Sequence, residues 1–131
     1  VMAGEIIGTQ KIPAKAGKYS AFADINEPII VSCGGGIILD DLNRIILRNQ
    51  CAVFLEADPE LLFRRVNGDT NRPYAYMDIP DENERRMRFL ELYKKRASLY
   101  REAASVITQT DGKSPETIAK EILYQLNRLN R

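Results

Sequence analysis

Three short apolar runs, each followed by a helix-starting signal, limit this chain to a narrow set of folds. Ile29 to Ser32, Cys51 to Ala57 and Ser105 to Thr110 are too short for helices and read as buried strands. After the first, Asp40 or Asp41 stands ahead of Leu42, Ile45 and Ile46. After the second, Asp58-Pro59 precedes "ELLFRRV". After the third, Ser114-Pro115 opens a helix to about Leu129, with Ile118, Ile122, Leu123 and Leu126 on its buried side. A short side-chain oxygen caps the free amides of a first turn, and proline's fixed φ suits the first helical position. One more helix starts at the capping-box-like pair Asp81 and Glu84 and runs to about Ala104. The order is β-α-β-α-loop-α-β-α. Helical crossovers return the chain in the same direction, so the expectation is an α/β fold, a parallel sheet flanked by helices.

The 131 residues suit one domain. Within it, residues 29–131 form the readable core and residues 67–80, "NGDTNRPYAYMDIP", a mobile lid loop. Residues 1–28 stay unassigned, apart from a short strand at Ile6-Ile7 and a helical turn or two between Tyr19 and Ile25. Nineteen basic residues nearly balance eighteen acidic ones, and a net charge of +1 argues for neither a nucleic-acid nor a membrane partner. The basic residues between Arg85 and Arg101 alternate with acidic ones, as on a solvated helix face. Histidine is absent, which removes imidazole bases, Ser-His-Asp triads and most zinc sites. Cys33 and Cys51 read as reduced core thiols rather than a disulfide framework. No apolar run approaches the roughly 20 residues of a membrane span. The expectation is a cytoplasmic monomer acting on small molecules. The chain begins at Val1 rather than Met, which raises the expectation of a segment upstream.

Gly34, Gly35 and Gly36 follow the first strand directly, in "VSCGGGIILD". Three glycines cost backbone entropy and add no packing. In an open parallel sheet, ligands bind beyond the carboxyl ends of the strands. Bare backbone there can approach a ligand closely and offer N–H groups to its oxygens. The structural alternative is a loose strand-to-helix turn. The spacing fits neither a dinucleotide fingerprint nor a P-loop. The nearest approach to a P-loop, "AGKYS", has Ile12 in place of the first glycine and Tyr19 where a hydroxyl should hold magnesium.

Two arginines are candidates for anion binding. The helix after Pro80 carries one apolar stripe through Met87, Leu90, Tyr93, Ala97, Tyr100 and Ala104. A second runs through Phe89, Leu92, Arg96, Leu99 and Ala103. Arg96 therefore has leucines one turn away on either side. An inward guanidinium must snorkel outward or find an anion, either an internal carboxylate or the carboxylate or phosphate of a ligand. Arg72 lies in the lid loop, where a positive charge can close over a phosphoryl group; an ordinary exposed arginine is the alternative.

Taken together, "IIVSCGGGIILD", "CAVFLEADPELLFRRVNGDTNRP", "RASLYREAA" and "DGKSPE" resemble the shikimate kinase family, from Ile29 to Leu126. The resemblance implies a nucleoside-monophosphate-kinase-like P-loop fold. It also implies transfer of the γ-phosphoryl of ATP to the 3-hydroxyl of shikimate, on the route to chorismate and the aromatic amino acids. It places Gly34, Gly35 and Gly36 against the shikimate ring and Arg96 on the shikimate carboxylate. Arg72 falls on the phosphates during transfer, and Arg65 and Pro115 at the border of the adenine. ATP is then the co-substrate and Mg2+ its companion.

The chain departs from the family at its front. The P-loop with its lysine and hydroxyl, the acidic pair that helps hold magnesium, and an arginine ahead of the glycine triplet have no counterpart in Val1 to Glu27. No metal ligand can be named in this chain. Ser98 replaces a usual proline, and Tyr74-Ala75 replaces two leucines. Three possibilities stay open: the substrate-binding and lid portion of a shikimate kinase, a non-catalytic relative that binds or regulates, and another small-molecule kinase of the same fold.

Overall fold

The computed structural model describes residues 4–8, 29–68 and 78–129. Gly4–Gly8 is β1 and Ile29–Ser32 is β2; a 3-10 turn over Gly35–Leu39 then leads into α1, Asp41–Arg48. Cys51–Glu56 is β3, Pro59–Asn67 is α2, Glu82–Ala103 is α3, Val106–Gln109 is β4 and Pro115–Leu129 is α4. The helix starts follow the capping chemistry. Asp40 accepts from the Leu42 and Asn43 amides at 2.8 and 3.3 Å. Asp58 caps α2 with Pro59 at its first position, and Asp81 accepts from the Glu84 amide at 2.8 Å. The Ser114 hydroxyl accepts from the Thr117 amide at 3.2 Å.

The strands lie in the order β2-β1-β3-β4. β3 and β4 are parallel, with Val53 opposite Val106. β1 pairs antiparallel with both neighbours, Ile7 facing Ile30 on one side and Cys51 on the other. β2 and β3 therefore run in one direction, and β4 with them. The α/β architecture holds for the three strands that alternate with helices. β1 adds one opposed member to the sheet, because an apolar run carries no record of which way it will point. The expected helical turn between Tyr19 and Ile25 lies outside the described residues.

Side chains alternate across the sheet. Phe54 and Ala52 face one side, where Cys33, Ile38, Leu47, Tyr100 and Ala103 close around them. Val53 faces the other, with Val106 and Ile122, and Ile118 and Leu126 of α4 pack against that group. A third cluster joins α2 to α3 through Leu62, Phe63, Val66, Phe89, Tyr93 and Ala97. Two expected core positions point outward: Met87 is 67% and Leu123 58% exposed. Ile118, Ile122 and Leu126 already form the straight i, i+4, i+8 line, and Leu123 lies a quarter-turn off it. Met87 is two residues from the buried Phe89, on the far side of α3.

Charged contacts tie α3 to its surroundings: Arg86 to Glu60 of α2, Arg48 of α1 to Glu102, and Arg101 to Glu56. Exposed pairs of this kind contribute little each. Neither cysteine is in a disulfide; Cys33 is buried and Cys51 half-buried, with burial pushing the Cys51 thiol up. No helix among the described residues is long and apolar enough to cross a membrane.

Phe54 is 2% exposed and Ile107 40%, on the same strand pair. Phe54→Ala is expected to lower stability by about 3–5 kcal/mol, and Ile107→Ala by at most about 0.5 kcal/mol, measured by urea denaturation. The hydrogen bond from Arg86 holds the Glu60 carboxyl below its ordinary value of 4.5. A depressed carboxylate contributes above its unfolded pKa and loses that contribution as pH falls through the folded one. Arg86→Met is therefore expected to flatten the acid limb of the stability–pH curve below about pH 4.5.

Candidate functional site

The carboxyl ends of β2, β3 and β4 lie on one edge of the sheet, so the segments leaving them gather there. β2 leads into Cys33-Gly34, and Gly34 is extended, with φ −66° and ψ 150°. The chain then tightens, the Ile37 amide donating to the Gly34 carbonyl at 3.1 Å. The turn is braced from two sides. The Arg44 guanidinium donates to the Ile38 carbonyl at 2.5 Å and pairs with Asp41, its side chain only 17% exposed. The Tyr100 hydroxyl, from α3, donates to the Gly35 carbonyl at 2.5 Å.

Among the described glycines only Gly112 has positive φ, at 69°. A Cβ at Gly34 would meet nothing within 4 Å, and one at Gly36 only the Leu39 Cδ1 at 4.0 Å. Neither backbone strain nor a neighbouring side chain asks for glycine at these two positions. Bare backbone at this edge instead permits close approach from outside. The first N–H groups of a helical turn also have no acceptor within it.

Arg96 lies one helical turn before Tyr100 on the same face of α3. Its Nε is buried and has no hydrogen-bond partner, and among the described residues the guanidinium enters no ion pair. It lies beside the Tyr100 phenol. Burial pushes the Tyr100 pKa up; the Arg96 charge and its hydrogen-bonding reach pull the other way. Among the described residues no carboxylate takes up the internal pairing that was one alternative for Arg96. Arg96 and the triplet are thus brought together, with the Tyr100 oxygen between them.

The connections after β3 and β4 form the other part of the edge. The Asp58 amide donates to the Asp111 carboxylate at 2.9 Å, joining the two loops. The Thr110 amide and hydroxyl both donate to the Glu56 carbonyl, at 2.9 and 3.0 Å. Glu56 also receives Gln109 at 2.6 Å and pairs with Arg101. Pro115 is exposed at the start of α4, and Arg65 is exposed in the last turn of α2. No hydrogen bond or ion pair among the described residues links either to the glycine turn. Arg72 lies outside the described residues. No group of three or more carboxylate, thiol or imidazole ligands gathers among the described residues. The expected magnesium has no donor set there, and no step is derived through it.

Two residues not singled out in the sequence matter to this geometry. Tyr100 looked like one more member of an apolar stripe. Arg85 sat in a charged run, yet its guanidinium spans the base of the lid segment. It donates to Asn67 at 3.2 Å and to the Ile79 and Pro80 carbonyls at 2.7 and 2.9 Å. Only the inward apolar surroundings of Tyr100, which require a partner for its hydroxyl, were a usable signal.

An α/β sheet whose glycine turn and half-buried arginine meet beyond the strand ends belongs to the class whose ligand sites form at that edge. Comparison with known proteins narrows the class. The family model for shikimate kinase matches residues 20–127. The shikimate kinase of Thermodesulfovibrio yellowstonii is 34% identical over 122 residues, 85% of this chain and 67% of that protein. That of Nitrosospira multiformis is 34% identical over 79% of this chain and 51% of its own length. That of Dehalococcoides mccartyi is 38% identical over 76% and 53%. The chain belongs to the shikimate kinase family, which has a P-loop kinase fold of the nucleoside-monophosphate-kinase type. It spans between half and two thirds of the length of these relatives. No solved structure matches it.

Burial lets the native state keep the Tyr100 proton at a pH where the unfolded chain has lost it. A raised pKa contributes fully below the unfolded value, about 10, and loses that contribution as pH rises through the folded one. Tyr100→Phe is expected to make the loss of stability above about pH 10 shallower, followed by urea denaturation across the alkaline range. Tyr93, also pushed up chiefly by burial, leaves a residual slope.

Proposed function

We propose that this chain forms the shikimate-binding and lid portion of a shikimate kinase, which phosphorylates the 3-hydroxyl of shikimate with ATP. In this reading Gly34, Gly35 and Gly36 are the shelf beneath the shikimate ring. Arg96 receives the carboxylate, for which a planar guanidinium with an unengaged N–H is suited. The shikimate hydroxyl attacks the γ-phosphorus of ATP. A new P–O bond forms, the bond to the bridging oxygen breaks, ADP leaves, and the hydroxyl proton is released. Such transfers depend on positioning and charge neutralisation more than on covalent help from the protein. Arg72 supplies positive charge at the transferring group, and Arg65 and Pro115 border the adenine. Magnesium accompanies ATP, with its protein ligands not among the described residues. The proposal includes a cytoplasmic location, a single-chain working state and a place in chorismate and aromatic amino acid synthesis.

The observation that supports it most is the buried, unpartnered Nε of Arg96 beside the glycine turn. A buried donor left without an acceptor is costly, and a ligand carboxylate would satisfy it. The experiment is calorimetric titration of shikimate into the chain. Binding is expected, and Arg96→Ala is expected to weaken it about 10- to 100-fold, as for a charge-assisted pair. No heat of binding, or an unchanged affinity in Arg96→Ala, overturns the reading. A second reading, a non-catalytic binding module, is favoured by Ile12 and Tyr19 in the one P-loop-like stretch. ADP release in the presence of shikimate and magnesium-ATP separates the two: turnover excludes the module, and shikimate binding without turnover supports it.

A further inference from the structure

We propose that Tyr100 is a positioning residue for the carboxylate-binding site: its hydroxyl holds the Gly35 carbonyl on one side and faces the Arg96 guanidinium on the other, setting the spacing between shelf and clamp. The inference rests on the proposed shikimate site and goes beyond it, because Tyr100 touches no substrate in that reading.

The ring cannot easily move. It is 3% exposed and stacks on Phe54 with centroids 5.0 Å apart and planes 26° from parallel. Ala52, Leu47, Ile38 and Ala103 share its cluster. A buried ring held this way places its oxygen to within the tolerance of the core packing. That oxygen has one proton and two lone pairs. The proton goes to the Gly35 carbonyl, 65 residues away in the chain. A lone pair is left toward Arg96, whose charge favours the phenolate. With its proton directed at Gly35, the phenol presents its acceptor side to the cation. It therefore offers the guanidinium a neutral acceptor, which orients the fork without quenching its charge. A carboxylate in the same place would compete with a ligand anion; a phenol does not. Gly35 has no side chain to pack, so its backbone carbonyl is the group through which Tyr100 can hold it.

The test is a double-mutant cycle on the full chain. Tyr100→Phe keeps the ring and its stack and removes only the hydroxyl. It is expected to weaken shikimate binding about tenfold and leave the affinity for an ATP analogue unchanged. If Tyr100 acts through Arg96, the losses in Tyr100→Phe and Arg96→Lys will not add in the double variant. Additive losses, or no loss in Tyr100→Phe, overturn the proposal. Two arms need no ligand. Amide exchange at Ile37 and Ile38 is expected to rise in Tyr100→Phe, with exchange in β3 unchanged. In Arg96→Met, the Tyr100 phenol is expected to titrate at higher pH than in the wild type, followed by NMR of labelled tyrosine. Unchanged exchange and an unchanged titration overturn the bridge, even in a chain that binds shikimate. If the wild type binds no shikimate yet both arms respond, the bridge stands and the functional reading falls.

Discussion

The stack of Tyr100 on Phe54 is the aromatic contact that seats the long helix α3 on the sheet. Phe54 is in the centre of β3, and Tyr100 is near the end of α3, with the glycine turn above them. The ring stack fixes the helix against the strand, and the hydroxyl at its rim reaches the turn. One buried aromatic pair thus relates three parts of the chain that are far apart in sequence. Aromatic pairs contribute about 0.5–1.5 kcal/mol beyond the area they bury. Here the geometric effect matters more, since Gly34, Gly35 and Gly36 have no side chains of their own to pack.

The same edge is held by several separate braces. The glycine turn is clamped by Tyr100 at Gly35 and by Arg44 at Ile38. The loops after β3 and β4 are tied together by Asp111 and by the carbonyl and carboxylate of Glu56. Arg85 ties Asn67, at the end of α2, to the Ile79 and Pro80 carbonyls ahead of α3. Tyr100, Arg44 and Arg85 each use a helix side chain to fix a backbone carbonyl in a connection, whereas Asp111 and Glu56 act from the loops and strand end themselves. Loops that carry function are positioned in this way because they bury too little apolar surface to be held by packing.

Much of this was legible in advance. The starts at Asp40, Asp58, Asp81 and Ser114 follow from local capping chemistry, which depends only on residues three or four apart. Arg96 was recognisable as inward because helical periodicity placed it between leucines. Less visible were the exposure of Met87 and Leu123, which depends on how far neighbouring elements extend beside a helix. The role of Tyr100 was hidden for a related reason. An apolar stripe says that a tyrosine is buried but not which carbonyl its hydroxyl will find.

The sequence by itself determined the alternation of strands and helices, the glycine-rich exit from β2 and the presence of an arginine on a buried face. It also carried the family resemblance, because motif order and spacing are properties of the chain. Tertiary structure alone decided that β1 runs against its neighbours, that Arg96 meets no carboxylate among the described residues, and that Gly35, Tyr100 and Arg96 converge. These outcomes depend on which distant backbone and side-chain groups come within about 3 Å of one another. No pattern along a single chain encodes such distances, since they are set by packing across the whole core.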